Sequence, residues 1–245
     1  MLINYKKSDF SERQLCEMRQ GVKKNIDVSI YAHPEFNNKQ MKQIRLGLEK
    51  SLDISYAKPE FNDKQMEEIR KGLENNLDVS YYAKPEFDSN QMKQIRLGLE
   101  KKLDVSCYAK PEFYSNQMAQ IRLGLENKVD VSLYTKPEFD GLQMKEIRWG
   151  WEDKLNVSIY AKREFDWSQM REIRYGLINK LNVGIYANPK FNADQMNEIR
   201  WGLENNLDVS CYAKPEYSCD KMIKIKLELL NSKEEDVLNY LEFKN

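Results

Sequence analysis

The stretch FNDKQMEEIRKGLENNLDVSYYAKPE, from Phe61 to Glu86, contains every signal needed to read the fold. Asn62 is followed three residues later by Gln65, the arrangement in which two side chains reciprocally satisfy free backbone N–H groups at a helix start. Phe61 and Met66 stand at the two positions of a hydrophobic staple across that start. From Met66, apolar residues fall at Ile69, Leu73 and Leu77, one stripe of a 3.6-residue period, which predicts a long helix of about four turns. Asp78 then stands where it can cap a second, shorter helical segment of about one and a half turns, with Val79, Tyr82 and Ala83 on one side. Pro85 ends that segment, because proline lacks an N–H and disfavours helix in the residue before it. The KPE triplet is therefore a corner.

The same pattern recurs along the chain. Its aromatic marker falls at Phe10, Phe36, Phe61, Phe87, Phe113, Phe139, Phe165, Phe191 and Tyr217, at steps of 26 residues with one of 25. A unit this small cannot bury its own apolar stripe, so the copies must stack. The expected fold is all-α: an α-solenoid of tandem helical repeats, each a long helix, a short helix and a Pro corner, with capping units at the ends. Residues 1–9 read as a lead-in, 10–216 as eight repeats and 217–245 as a divergent capping repeat with a final helix. Glycines recur mid-helix at Gly21, Gly47, Gly72, Gly98, Gly124, Gly150, Gly176 and Gly202. Glycine there costs about 1 kcal/mol relative to alanine, so close approach of an adjacent helix backbone is expected to offset it. One cap position departs from the pattern, with Tyr114 where Asn or Asp stands elsewhere.

Composition narrows the function classes. Lys+Arg and Asp+Glu are both 39, a formal net charge of zero, which argues against a protein built chiefly to coat a phosphate backbone. No run of eighteen apolar residues and no signal-peptide core is present, so neither a membrane nor a secreted setting is expected. Cys16, Cys107, Cys211 and Cys219 are scattered without metal-ligand spacing, and a reduced, cytoplasmic protein is the simpler reading. There is one histidine, His33, and no phosphate loop, HExxH or nucleophile elbow. The expectation is therefore no enzyme, no metal and no cofactor.

Two rows of residues carry the functional readings. An arginine ladder occupies the same place in successive units: Arg19, Arg45, Arg70, Arg96, Arg122, Arg148, Arg174 and Arg200. From Arg45 onward it reads either as a set of contacts to phosphate or an acidic partner, or as bridges to the glutamates of the corners, Glu35, Glu60, Glu86, Glu112, Glu138, Glu164 and Glu216. The residue after each arginine is Gln20, Leu46, Lys71, Leu97, Leu123, Trp149, Tyr175 and Trp201. This position points away from the Met/Ile/Leu stripe, so its apolar character reads either as packing on a second side of the helix or as a binding face. All four tryptophans, Trp149, Trp151, Trp167 and Trp201, lie between Phe139 and Glu216. The expected partner-binding residues are Trp149, Tyr175, Trp201 and Trp167, with Leu123 and Leu97.

The phrase YAKPEF-(D/N)xxQMxxIRxGLE-xxLDVS resembles a short helical repeat of Gram-positive bacterial proteins and of their phages and mobile elements, over about Phe10 to Tyr217. The resemblance implies a bacterial or phage setting in which modulating a host defence factor is a suitable duty. Three readings stay open: a scaffold for a protein partner, host or self; a nucleic-acid-binding array using the arginines; and a small-molecule site between units or across a dimer.

Overall fold

A computed structural model describes residues 5–242, with side chains through residue 233. Nine α-helices occur among the described residues, with no strand: α1 (Glu12–Lys23), α2 (Asn38–Glu49), α3 (Asp63–Glu74), α4 (Ser89–Glu100), α5 (Ser115–Glu126), α6 (Gly141–Glu152), α7 (Trp167–Ile178), α8 (Ala193–Glu204) and α9 (Cys219–Glu242). The chain divides between Glu126 and Asn127 into two compact units. In the first, α1 to α5 each pack on the next; in the second, α6 to α9 do the same, so each is a stack of tandem repeats of the α-solenoid kind.

The helices start as the sequence predicts. Asn62 Oδ1 accepts from the Lys64 and Gln65 backbone N–H groups, and the Asn62 N–H donates to Gln65 Oε1 at 2.8 Å. They end earlier than predicted, after 12 residues, for a definite reason. Asn76 takes a left-handed conformation at φ 55°, its N–H donates to Leu73 O, and the Leu77 N–H donates to Gly72 O. This is the Schellman closure, in which a left-handed residue turns the chain back so that orphan carbonyls are satisfied. Leu77 thus lies beyond the helix rather than on its last turn. Asn25, Ser51, Lys102, Lys128, Lys154, Lys180 and Asn206 share the left-handed position.

The second segment is also shorter than predicted. Asp78 accepts from the Ser80 N–H at 3.0 Å and caps a single 3-10 turn, Val79–Tyr81. Five repeats have such a turn, and the remaining ones bend without it. What this turn achieves is the placement of one tyrosine. Tyr82 is fully buried and its hydroxyl donates to the Glu68 backbone carbonyl at 3.2 Å, so the ring lies against its own long helix. Tyr31, Tyr56, Tyr108, Tyr160, Tyr186 and Tyr212 bond the matching carbonyls of Glu17, Gln43, Gln94, Glu146, Glu172 and Glu198.

This placement corrects the expectation for the glycines. A Cβ on Gly72 would sit 1.9 Å from the Tyr82 hydroxyl oxygen and 3.0 Å from Val79 Cγ1. The crowding group is a phenol of the same repeat, not a neighbouring helix backbone. Glycine vacates one side-chain volume, and tyrosine fills it.

Adjacent repeats are joined by the capping glutamine. While Gln65 Oε1 closes its own helix start, its Nε2 donates to Phe87 O at 2.6 Å and Pro85 O at 3.3 Å in the next corner. Gln14, Gln40, Gln91, Gln169 and Gln195 repeat both contacts, and Gln143 bonds Phe165 O at 2.7 Å. Around this clip, the Met and Ile of α2 to α8 and the Phe residues before them form the buried core. Each such side chain contributes about 1.5–3 kcal/mol on burial. The last helix, α9, runs without a break from Cys219 to Glu242.

Candidate functional site

From Arg45 onward the arginine ladder flanks the core and is bonded inside the protein. Arg45 is 4% exposed; its Nε and Nη2 donate to Glu17 of α1 at 3.0 and 2.9 Å, and its Nη1 pairs with Glu49 one turn on. Arg96 reaches Glu68 and Glu100; Arg200 reaches Glu172 and Glu204. Arg70 and Arg122 donate instead to the amide oxygens of Gln43 and Gln94, while pairing with Glu74 and Glu126. Arg148 pairs with Glu152. Arg45, Arg70, Arg96, Arg122, Arg174 and Arg200 thus each reach back to the preceding helix, rather than from helix to corner. The corner glutamates are exposed, and none pairs with an arginine among the described residues. Burial works against the charge on Arg96, Arg174 and Arg200, but the carboxylates bonded to them outweigh it and hold their pKa values above the ordinary one.

In five helices the closing glutamate is shared with the residue past the end of the helix before it. Lys24 meets Glu49, Lys50 meets Glu74, and Asn75, Asn127 and Asn179 donate to Glu100, Glu152 and Glu204. At α6–α7 the pattern is exchanged. Ile178 replaces the glutamate and Asp153 replaces the Lys or Asn, and Arg174, bonded to Glu146 at 2.9 Å, turns its Nη1 toward Asp153 at 3.5 Å. Charge is conserved locally while an isoleucine, 43% exposed, appears outside.

That isoleucine belongs to a face. Trp167, Arg171, Tyr175 and Ile178 are spaced i, i+4, i+8 and i+11 on α7, a single helical stripe. Trp149 on α6 and Trp201 on α8 occupy the position of Tyr175 on the neighbouring helices. The row is laminated with cations. The Arg174 guanidinium carbon lies 5.2 Å from the Trp149 ring centre and 4.9 Å from that of Tyr175; Arg200 lies 5.6 Å from Tyr175, and Lys226 Nζ 4.4 Å from Trp201. Lys145 covers Trp149 at 4.3 Å, and Arg171 stands 5.2 Å from Trp167. Contacts of this type contribute about 0.5–2 kcal/mol each. Here they lock the rings while their outer edges stay in solvent: Tyr175 and Trp167 are exposed, Trp149 and Trp201 half-buried.

The remaining residues read from the sequence are placed differently. Leu97 and Leu123 are half-buried at the corresponding position of α4 and α5, in the other unit, with no aromatic beside them on α3. Trp151 takes the place of a half-buried leucine, and its indole N–H is buried without a hydrogen-bond partner. His33 packs edge-on against Tyr5 and Phe36. Sequence reading missed Ile178 and Arg171. Comparing the helix-closing position across units would have found Ile178, since it alone among α2 to α8 is not glutamate there.

No group of three His, Cys, Asp or Glu among the described residues could hold a metal ion, and none of their helices is long and apolar enough to cross a membrane. Comparison with known protein families, characterised proteins and solved structures gives no match to this chain.

Proposed function

We propose that the chain is a non-enzymatic scaffold that binds a protein partner through the outer face of α6 to α8. Trp149, Tyr175 and Trp201 are its anchors, with Trp167 and Ile178 extending the contact. The observation that carries this reading is the cation-laminated aromatic row. Rings already held in place lose little freedom on binding, and Trp, Tyr and Arg are the residues that dominate interface energetics. In the setting implied by the sequence resemblance, the partner is a host protein, with a defence factor as the first candidate. The internal bonding of the arginines supports a protein partner over nucleic acid, because guanidiniums committed to carboxylates offer little to a phosphate backbone.

The test is affinity capture from a bacterial lysate followed by calorimetry on the captured protein. Trp149→Ala and Trp201→Ala are each expected to weaken binding by tenfold or more, about 1.4 kcal/mol, while Leu97→Ala leaves it unchanged. Unchanged affinity in folded tryptophan variants would sink the assignment. Retention of DNA or RNA in a low-salt gel shift, abolished by salt, would favour the nucleic-acid reading instead.

A further inference from the structure

The stacking rule that joins the repeats also describes a surface on α1. In α2, Met41 and Ile44 are fully buried, and Arg45 is sealed by Glu17 of the helix before it. The matching residues of α1 are Leu15, Met18 and Arg19. Leu15 and Met18 are only half-buried, and the Arg19 side chain is 59% exposed, paired at 3.2 Å with Glu12, which is itself largely in solvent. Val22, 60% exposed, and Val28 continue the apolar floor, and Lys7 and Lys23 complete the lining of an open groove. Among the described residues the lining is thus four apolar side chains and three cations, and the carboxylate at its edge is Glu12, on Arg19.

We propose that this groove binds an amphipathic helix of a partner protein bearing Glu or Asp beside its apolar stripe, seated on α1 as α1 is seated on α2. Two observations select that occupant. The apolar floor calls for the stripe of a helix, since α2 buries the same positions against α1. The rim calls for acid, because Arg19, Lys7 and Lys23 surround the floor and an arginine at this position of α2 takes a carboxylate from its neighbour. A second copy of the chain fits poorly. Where Glu198 of α8 reaches Lys226, the matching residue of α9 is Lys224, so stacking tail to head would set Lys224 against Arg19. The groove is built from α1 and shares no residue with the aromatic row of α6 to α8, and the inference does not depend on that row.

The experiment titrates the full isotope-labelled chain with two synthetic helical peptides that share one Leu/Ile stripe, one flanked by Glu and the other by Lys. The acidic peptide is expected to shift the amide signals of α1 and Lys7 and to bind at least tenfold more tightly than the basic one. Arg19→Glu, at an exposed side chain, is expected to lower that affinity tenfold and to narrow or reverse the preference, whereas Trp149→Ala leaves it unchanged. Equal affinity for the two peptides, signals that move elsewhere than α1, or indifference to Arg19→Glu would overturn the proposal. Self-association of the chain that Arg19→Glu abolishes would overturn it in favour of a second copy.

Discussion

The stacks formed by α1 to α5 and by α6 to α9 share an interior and differ outside. Both contain the Gly–Tyr pair, the glutamine clip and the inter-helix arginine bridge. On the position after the arginine, the first shows Gln20, Leu46, Lys71, Leu97 and Leu123, and the second Trp149, Tyr175 and Trp201. The difference teaches that stacking constrains a fixed set of positions and leaves this one free to vary. Perturbing the interior should therefore damage both stacks alike, and perturbing the outer row should be felt in one.

The largest effect expected is alkaline unfolding of both. Burial pushes Tyr31 up to about 12 and raises Tyr56, Tyr82, Tyr108, Tyr160, Tyr186 and Tyr212 in the same direction. A pKa raised on folding gives stability that is whole below the unfolded value, about 10 for tyrosine, and is lost as pH rises through the folded one. Helical circular dichroism should collapse between about pH 10 and 12, together with the phenolate absorbance rise. Gradual phenolate formation without loss of helix would contradict the buried-tyrosine architecture.

Next in size are Gly72→Ala and Gly176→Ala, one in each stack. The new methyl meets a tyrosine hydroxyl that cannot swing aside because its ring is buried. A cost of about 2–3 kcal/mol should exceed the roughly 1 kcal/mol that alanine gains in helix propensity. Adding Tyr82→Phe to Gly72→Ala removes the closest atom and should recover part of the loss in urea unfolding. Equal stability of Gly72→Ala and the parent would mean that the helix and the turn are not in this register.

Gln65→Ala and Gln169→Ala come third, at about 2 kcal/mol each, because each leaves the carbonyl of a buried phenylalanine without its donor. Hydrogen exchange should show the loosening at the joint between the affected repeat and the next, in either stack. Exchange unchanged at that joint would remove the clip from the list of stacking contacts. The smallest effect is a gain. Tyr114 is 76% exposed where α2, α3 and α4 have a side-chain N-cap, so Tyr114→Asp should stabilise α5 by about 1 kcal/mol. A neutral or destabilising result, read by thermal melting, would show that this tyrosine has a packing role.

The helices, their starts and the need to stack were legible because they depend on local spacing: a cap, a glutamine three residues on, a stripe of period 3.6. The places where reading fell short involve side chains with two partners. Gln65 looks complete as half of a capping box, and nothing local says that its amide nitrogen is also committed to Phe87 O. Arg96 finds one carboxylate on its own helix, four residues on, and the other on α3, whereas the corner glutamate suggested by recurrence points to solvent. Tyr82 reads as one more apolar residue, and its bond to the Glu68 carbonyl, which explains Gly72, appears only when the turn is closed. Of the outer face, the aromatic positions were visible as departures among copies. Their lamination by Arg174, Arg200 and Lys226 was not, since each cation comes from the following helix to stack on the ring before it.

The glutamine clip has a consequence for how such a chain changes over generations. It grips the next repeat by main-chain carbonyls, which every repeat presents whatever its side chains are. A repeat inserted, removed or exchanged by recombination between its near-identical neighbours therefore meets the same socket on arrival, and the outside of the stack can be rewritten one copy at a time without renegotiating the joints.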